Sequence, residues 1–468
     1  MLPNELLLEI LHYLSTADLR NIASASRRLC ALARTLLYAA IEIRPFVINA
    51  NGHLCGLSAA REKALQDRLV VMGSPRVAPH IQLLKISAWR IKISHWPPRI
   101  TRPVARPQPA GDVSRDPQAM LPSIFAVVVS LINLRTLTAE KVQFTPAALD
   151  ALAQLQSLHT FSISDCTLHL PSSHSSCPIL HVVHFEMYGG ALHHWLALMA
   201  PAILREVHSS APAGLEEATE LASLPPFPHV TILHILSSKR LALAATLAPF
   251  PLLFPGLERL DVSNNNPFPN PRRDGDPPIG APAEWVSDLP RFPQLKELVV
   301  REPAALLVLT MARVGVLDVV FTGVPPLLQS LASLPRVAFA RITCLRLKLG
   351  RCDILGCELL SRLLSYFPVL EVCAIFLDLR EGRQSVILLT TSLPACLPRA
   401  LRALRLLAED PHDPAYMWDM EVLPPDAVRD QLVARCPGLA YIDMRVPLFT
   451  LQWSAGPGAE SELIGWER

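Results

Sequence analysis

The chain has 468 residues, a formal net charge of +2, and 44 prolines against 19 glycines. A charge this close to neutral gives no basis for a nucleic-acid binder or an acidic-membrane binder along the whole chain. The length exceeds that at which a single compact core stops growing, so several domains or an elongated repeat are expected. The first forty residues predict three short helices. The first begins near Asn4 and confines Asn4, Glu5, Glu9 and His12 to one narrow polar stripe. The rest of its girth is apolar (Leu6, Leu7, Leu8, Ile10, Leu11, Tyr13 and Leu14), which demands cover on more than one side. Ser15 and Asp18 have capping-box spacing for a second helix bearing Leu19 and Ile22. A third runs from about Ser26 through Leu29, Leu32 and Leu36 to Tyr38. Three such helices bury too little surface to be secure alone, so their cover must come from the rest of the chain and from another protein.

Beyond them the chain repeats a signature: apolar, two variable, apolar, one variable, apolar. Weak copies at Ile81-Leu84-Ile86 and Leu134-Leu137-Ala139 precede Leu158-Phe161-Ile163 and Leu180-Val183-Phe185, and copies continue to Leu439-Ile442-Met444. Neighbours are mostly separated by roughly twenty to just over thirty residues, near the leucine-rich-repeat range. The last two apolar positions have strand period and point to one side. Cys166 and Asn264-Asn265 fall where the repeat turns, suited to hydrogen-bonding the turn backbone. Helical patterns at 146–155, 191–199, 215–224, 358–366 and 426–434 alternate with the signatures, and prolines such as Pro178, Pro228 and Pro437 separate helix from strand. The predicted fold is α/β, a right-handed strand–helix solenoid of about thirteen irregular repeats, with parallel strands on the concave face and helices on the convex face.

The position between the two inward strand residues faces outward. Read down the repeats, that column is Lys85, Thr138, Ser162, His184, His208, His234, Asp261, Val299, Asp318, Arg346, Ala374, Arg405 and Asp443. His184, His208 and His234 are expected in one column on successive repeats, with Glu186 and Glu206 on flanking positions, where they would offset the mutual repulsion of charged imidazoles or, as the lesser alternative, help hold a metal. Proline-rich stretches at about 96–118 and 264–282 read as loops inserted between repeats. The most apolar stretch, 241–257, is broken by Pro249, Pro251 and Pro255 and falls short of a membrane span.

Catalytic motifs are missing from the sequence. There is no phosphate loop, no Gly-x-Ser-x-Gly and no His-Glu-x-x-His. Cys352 and Cys357 lack a second pair, and His193-His194 are adjacent on a predicted helix, where neighbours diverge. No cofactor or metal is therefore expected. Ten scattered cysteines and the lack of a secretory n- or h-region point to reduced thiols in the cytoplasm and/or nucleus.

The N-terminal segment resembles the F-box. The residues that carry the likeness are Leu2-Pro3, Glu5-Leu6-Leu7, Ile10-Leu11, Leu14, Asp18-Leu19, Arg27-Arg28 and Leu37-Tyr38, with Leu29 where many F-boxes have tryptophan. The repeats resemble the leucine-rich-repeat half of fungal-type F-box proteins, with Ile41-Glu42-Ile43 as the first strand. The resemblance implies an F-box-like domain over 1–43 and a solenoid over 44–468. It further implies docking onto a Skp-type adaptor, and through it a cullin ubiquitin ligase, by Leu2, Pro3, Leu7, Ile10, Leu11, Leu14 and Leu19. The chain would then be a non-catalytic substrate-recognition subunit, with no nucleic acid or membrane as partner. Its target, a protein of unknown identity, would be held by outward residues such as His184, His208, His234, Asp261, Arg346 and Arg405. The alternative is a stand-alone leucine-rich-repeat scaffold with a helical cap. Exposure of the first helix's apolar residues discriminates between the two.

Overall fold

A computed structural model describes residues 2–49, 51–90, 115–169, 179–210, 215–237, 247–264, 291–301, 303–321, 324–352, 360, 362–379, 394–409, 424–446 and 449–455. The expected insertions at 96–118 and 264–282 lie outside the described residues, apart from 115–118 and 264, as do parts of 241–257 and 358–366. The chain divides into two compact units, Met1–Ser209 and Ser210–Arg468. Among the described residues, no helix is long and apolar enough to cross a membrane.

The first unit opens with α1 (Asn4–His12), α2 (Thr16–Ala23) and α3 (Arg27–Leu37). The Ser15 hydroxyl accepts from the Asp18 N–H at 3.2 Å and donates to the Asp18 carboxylate at 2.6 Å. Ser26 caps α3 in the same way, accepting from the Leu29 N–H at 3.1 Å. Each cap satisfies an N–H that has no partner within its helix. Leu11, Leu19 and Ala33 form the buried centre of the three helices, with Leu14, Ile22, Leu32 and Leu36 packed against it. Arg28 pins the chain start, its Nε donating to Asn4 Oδ1 at 2.9 Å and its Nη2 to the Leu2 carbonyl at 2.7 Å.

Strand β1 (Ala40–Ile48) turns back on β2 (Leu54–Cys55) as an antiparallel pair. From β1 the parallel order runs through β3 (Leu83–Arg90), β4 (Thr136–Glu140), β6 (Thr160–Ser164), β8 (His184–Tyr188) and β9 (Glu206–Ser210). Helices α4 (Ala59–Met72), α5 (Leu121–Val128), α6 (Pro146–Ala153) and α7 (Leu192–Leu196) occupy the connections, as parallel pairing requires. Leu137, Ala139, Phe161, Ile163, Phe185 and Met187 are buried, and the residues between them are half-exposed. The short strands β5 (Gln143–Phe144) and β7 (Thr167–Leu168) pair separately just past the turns.

Those turns share one device. Lys141, Asp165 and Gly189 each follow the last residue of a strand and take φ of 56°, 51° and 82°. The Lys141 N–H donates to the Ser164 carbonyl and the Asp165 N–H to that of Tyr188. Buried Cys166 contributes as the sequence predicts, its Sγ lying 3.3 Å from the Ala139 carbonyl and 3.4 Å from that of Ser164.

The expected register fails at β8. Phe185 pairs with Phe161, and Met187 with Ile163, so the inward signature is Val182-Phe185-Met187 and not Leu180-Val183-Phe185. His184 therefore sits opposite Thr160 and Glu206, two residues away from its expected place, and Glu186 holds the column position between Ser162 and His208. The segment Leu180-His181-Val182-Val183-His184-Phe185 offers two overlapping apolar patterns. Packing selects the one that seats Phe185 beside Phe161, ring centroids 6.0 Å apart, while Leu180 forms a bridge with Met199.

The second unit continues the same architecture. Strands β10 (Ile232–Ser237), β11 (Arg259–Asn264), β12 (Glu297–Val300), β13 (Val316–Phe321), β14 (Cys344–Cys352), β15 (Val372–Leu379), β16 (Ala403–Glu409) and β17 (Tyr441–Val446) pair in parallel. An antiparallel strand, β18 (Phe449–Ser454), follows β17. Here the column has the predicted register: His234, Asp261, Val299, Asp318, Arg346, Ala374, Arg405 and Asp443 lie directly opposite one another.

Candidate functional site

Two surfaces merit a functional reading, the outer face of α1 and the polar face of the strands. On α1, Leu2 and Ile10 are 51% and 52% exposed and Tyr13 is 83% exposed, with Leu6 beside them. These side chains, with Glu9 and Leu14, line a shallow apolar groove. The helix presents this face because Leu11 points the other way, into the centre shared with Leu19 and Ala33. Of the residues assigned to adaptor contact, Leu2, Pro3 and Ile10 are exposed and Leu7 and Leu14 half-buried. Leu11 and Leu19 are buried, which places them beneath the surface as its support.

In the first unit the strand face carries a four-residue cluster. His184 lies between two carboxylates, Nε2 at 2.9 Å from Glu186 Oε1 and Nδ1 at 2.9 Å from Glu206 Oε2. His208 lies beside it, Nε2 at 2.8 Å from Glu206 Oε1 and Nδ1 at 3.8 Å from Glu186 Oε1, with the two rings 4.7 Å apart. The hydrogen bond from His184 holds the Glu186 carboxyl down to about 2, against the pull of partial burial. Burial pushes Glu206 up, but the bonds from His208 and His184 outweigh it and leave the group below its ordinary range. The bond to Glu186 raises His184. The register shift at β8 creates this cluster: placing His184 two residues back brings Glu186 directly opposite His208 and Glu206 opposite His184. His234 belongs to the second unit.

The face of the second unit carries paired charges of both signs. Asp261 is buried and meets His234 Nδ1 at 3.3 Å, Ser263 Oγ at 2.7 Å and Arg301 at 3.9 Å. Arg346 reaches Glu297 at 3.3 Å and Asp318 at 3.9 Å. Arg405 lies 3.4 Å from buried Asp443, which also meets Arg445 at 2.9 Å. Both candidate arginines are thus held by carboxylates of the same face. Glu297 and Arg301, which hold Arg346 and Asp261, escaped the sequence reading because they lie one position to either side of the β12 signature pair.

Two aspartates of this column should respond in opposite directions. Burial pushes Asp261 up, but the hydrogen bonds of His234 and Ser263 and the charge of Arg301 outweigh it, so its carboxyl falls below its ordinary value. Burial raises Asp318 by more than Arg346 lowers it, and Glu297 adds to the rise. A lowered carboxyl stabilises the fold above its unfolded value, near 3.8, and loses that contribution as pH falls through the folded value. A raised carboxyl does the reverse: ionised, it destabilises the fold at neutral pH, and the penalty vanishes in acid. Asp261→Asn should therefore lower the thermal midpoint at pH 7, and Asp318→Asn should raise it. Both differences should shrink toward pH 3, which thermal melts across that range will check.

A further grouping was invisible in the sequence. Trp89 on β3 lies under Arg44 and Arg61, with guanidinium carbons 4.7 and 5.4 Å from its ring centroid. Glu42 binds Arg44 at 2.6 Å, and that bond and one from Ser87 lower its carboxyl. No local spacing signals a contact among residues so far apart in the chain.

A family model described as F-box-like matches residues 1–44. The N-terminal helices are F-box-like. No curated protein matches the sequence. Among solved structures the chain is similar to the TLR13–ssRNA13 complex, with 12% sequence identity and a TM-score of 0.27, over 68% of this chain and 50% of that chain. The described architecture is thus an F-box-like helical start followed by leucine-rich-repeat-like α/β units.

Proposed function

We propose that the chain is the substrate-recognition subunit of a Skp–cullin–F-box ubiquitin ligase, of the fungal-type F-box/leucine-rich-repeat kind. Residues 1–43 bind the Skp-type adaptor, residues 44–468 bind the protein to be ubiquitinated, and catalysis belongs to other subunits of the complex. The observation that carries this reading is the exposed apolar row Leu2, Leu6, Ile10 and Tyr13 on an F-box-like helix. A helix that served only to cap a repeat stack would turn such a row inward, since clustered exposed apolar side chains mark a surface awaiting a partner. The contact set is then Leu2, Pro3, Leu7, Ile10 and Leu14, with Leu11 and Leu19 holding the helix in place from behind. The place of work is the cytoplasm, the nucleus, or both.

The test is direct. Purified full-length protein mixed with a recombinant Skp-type adaptor should elute as a stoichiometric complex. Separate elution at tens of micromolar, a concentration at which even a Kd of about 10 µM gives substantial complex, rejects the reading.

The target would be held by the polar strand face, with Arg346 and Arg405 turned from their own carboxylates to those of a partner. Replacing both arginines by glutamine should weaken capture of a target found by proximity labelling, whereas equivalent substitutions on the exposed side of the α4 helix should not. Capture lost only through α4 would place the target on the helix side.

A further inference from the structure

The cluster His184–Glu186–Glu206–His208 contains more acceptors than neutral histidines can satisfy. Glu206 receives both rings, His184 through Nδ1 at 2.9 Å and His208 through Nε2 at 2.8 Å. If those two nitrogens carry the imidazole protons, the opposite nitrogens, His184 Nε2 and His208 Nδ1, present lone pairs toward Glu186 Oε1. One potential ligand atom from each of His184, Glu186 and His208 lies within 4.8 Å of the others, and in this tautomer neither facing imidazole nitrogen carries a proton. In that tautomer the grouping is repulsive until a positive charge enters it, either a second proton on His184, which its bond to Glu186 favours, or a metal ion.

We propose that His184 Nε2, His208 Nδ1 and Glu186 bind a divalent transition-metal ion of the zinc class, with Glu206 orienting both imidazoles from behind. Three features favour this assignment. First, two imidazoles and a carboxylate suit zinc or its neighbours and not magnesium or calcium, which take oxygen ligands. Second, the distances fit. Tetrahedral zinc with bonds of about 2.1 Å sets its ligand atoms about 3.4 Å apart. The separations of 2.9 Å (His184 to Glu186) and 3.8 Å (His208 to Glu186) bracket that value. Third, the second carboxylate stands where metal-binding histidines find one: it accepts the non-ligating N–H of each ring, fixing tautomer and orientation. The backbone is a rigid support, because all four residues lie on two hydrogen-bonded parallel strands, with Glu186 directly opposite His208 and His184 opposite Glu206. Side-chain exposures of 18–29% leave the group reachable from solvent, and three protein ligands leave a fourth position open to water or to a side chain of a docked protein. The inference is independent of adaptor binding.

The test uses the full chain, stripped with a chelator and dialysed against zinc, with bound metal counted by elemental analysis. Wild-type protein should hold one zinc more per chain than Glu186→Gln or His208→Ala protein. Glu206→Gln should keep the stoichiometry but weaken the affinity about 10–100-fold, as expected of a residue that only orients ligands. Cobalt substituted at this site should show visible bands of a four- or five-coordinate ion without thiolate charge transfer, excluding the cysteines as its ligands. Should a variant misfold, selective labelling of histidine in the wild-type chain gives the answer alone. Zinc must then shift the Nε2 resonance of His184 and the Nδ1 resonance of His208. Equal zinc content in wild-type, Glu186→Gln and His208→Ala proteins, or histidine resonances indifferent to zinc, overturns the proposal.

Discussion

Replacing Leu2, Leu6 and Ile10 together by alanine should abolish binding to a Skp-type adaptor and leave the melting of the protein unchanged. The separation of these two effects follows from where the side chains lie. All three are about half exposed in the free chain, so truncating them removes little of the apolar burial that folding gains. Alanine at a helix position also has higher helix propensity than isoleucine, which favours α1 if anything. In a complex the remaining half of each side chain would be covered, at about 1–2 kcal/mol apiece. Losing all three removes roughly 4 kcal/mol, close to a thousand-fold in Kd. Leu11→Ala makes the contrasting control. That side chain is 3% exposed at the centre of the three helices, so its loss should destabilise them by about 2–4 kcal/mol. Titration calorimetry paired with thermal melts separates the outcomes. Adaptor binding by the triple variant within ten-fold of wild type would remove α1 from the interface.

What the sequence could disclose depended on how local the cause was. The three N-terminal helices were legible because their determinants are short-range: Ser15 with Asp18, Ser26 with Leu29, and an apolar girth interrupted by one polar stripe. The column from His234 to Asp443 was legible because each strand there offers one apolar signature, leaving a single register. At 180–187 two signatures overlap, and only the contact of Phe185 with Phe161, set by three-dimensional packing, chooses between them. That same slip misplaced the ligands of the candidate metal site, which the sequence offered only as the lesser role of Glu186 and Glu206. With His184 in the column, the histidines form a row with glutamates flanking it. In the structure each histidine faces a glutamate across the strand pair. The pairing of Arg346 with Glu297 and the stacking of Arg44 and Arg61 on Trp89 join residues from separate elements, and composition carries no trace of them.

Trp195→Ala should be the most damaging single substitution in the first unit. The indole is 2% exposed on α7 and lies at the centre of an aromatic cluster, 5.3 Å from the ring of Phe144, 5.9 Å from Phe161 and 6.4 Å from Phe185. Phe125 extends the cluster through Phe144, at 5.5 Å. Phe144, Phe161 and Phe185 come from three successive repeats, so the indole ties together units that cannot bury their apolar faces alone. Truncation to alanine removes that contact area and leaves a cavity whose walls, built on paired strands, can collapse only in part. The expected loss is about 3–5 kcal/mol, a large share of the net stability of an ordinary domain. Trp195→Phe, which keeps an aromatic ring in the cavity, should lose markedly less. Hydrogen exchange of the β6 and β8 amides reads this locally and avoids treating the two units as one transition. Protection in those strands should fall by at least two orders of magnitude in the alanine variant, the equivalent of about 3 kcal/mol. Strands β14 to β17 should keep their protection. A uniform loss across both units would mean that they unfold as one cooperative body. A change under about ten-fold in β6 and β8 would mean that the indole does not join the repeats in the way its ring contacts indicate.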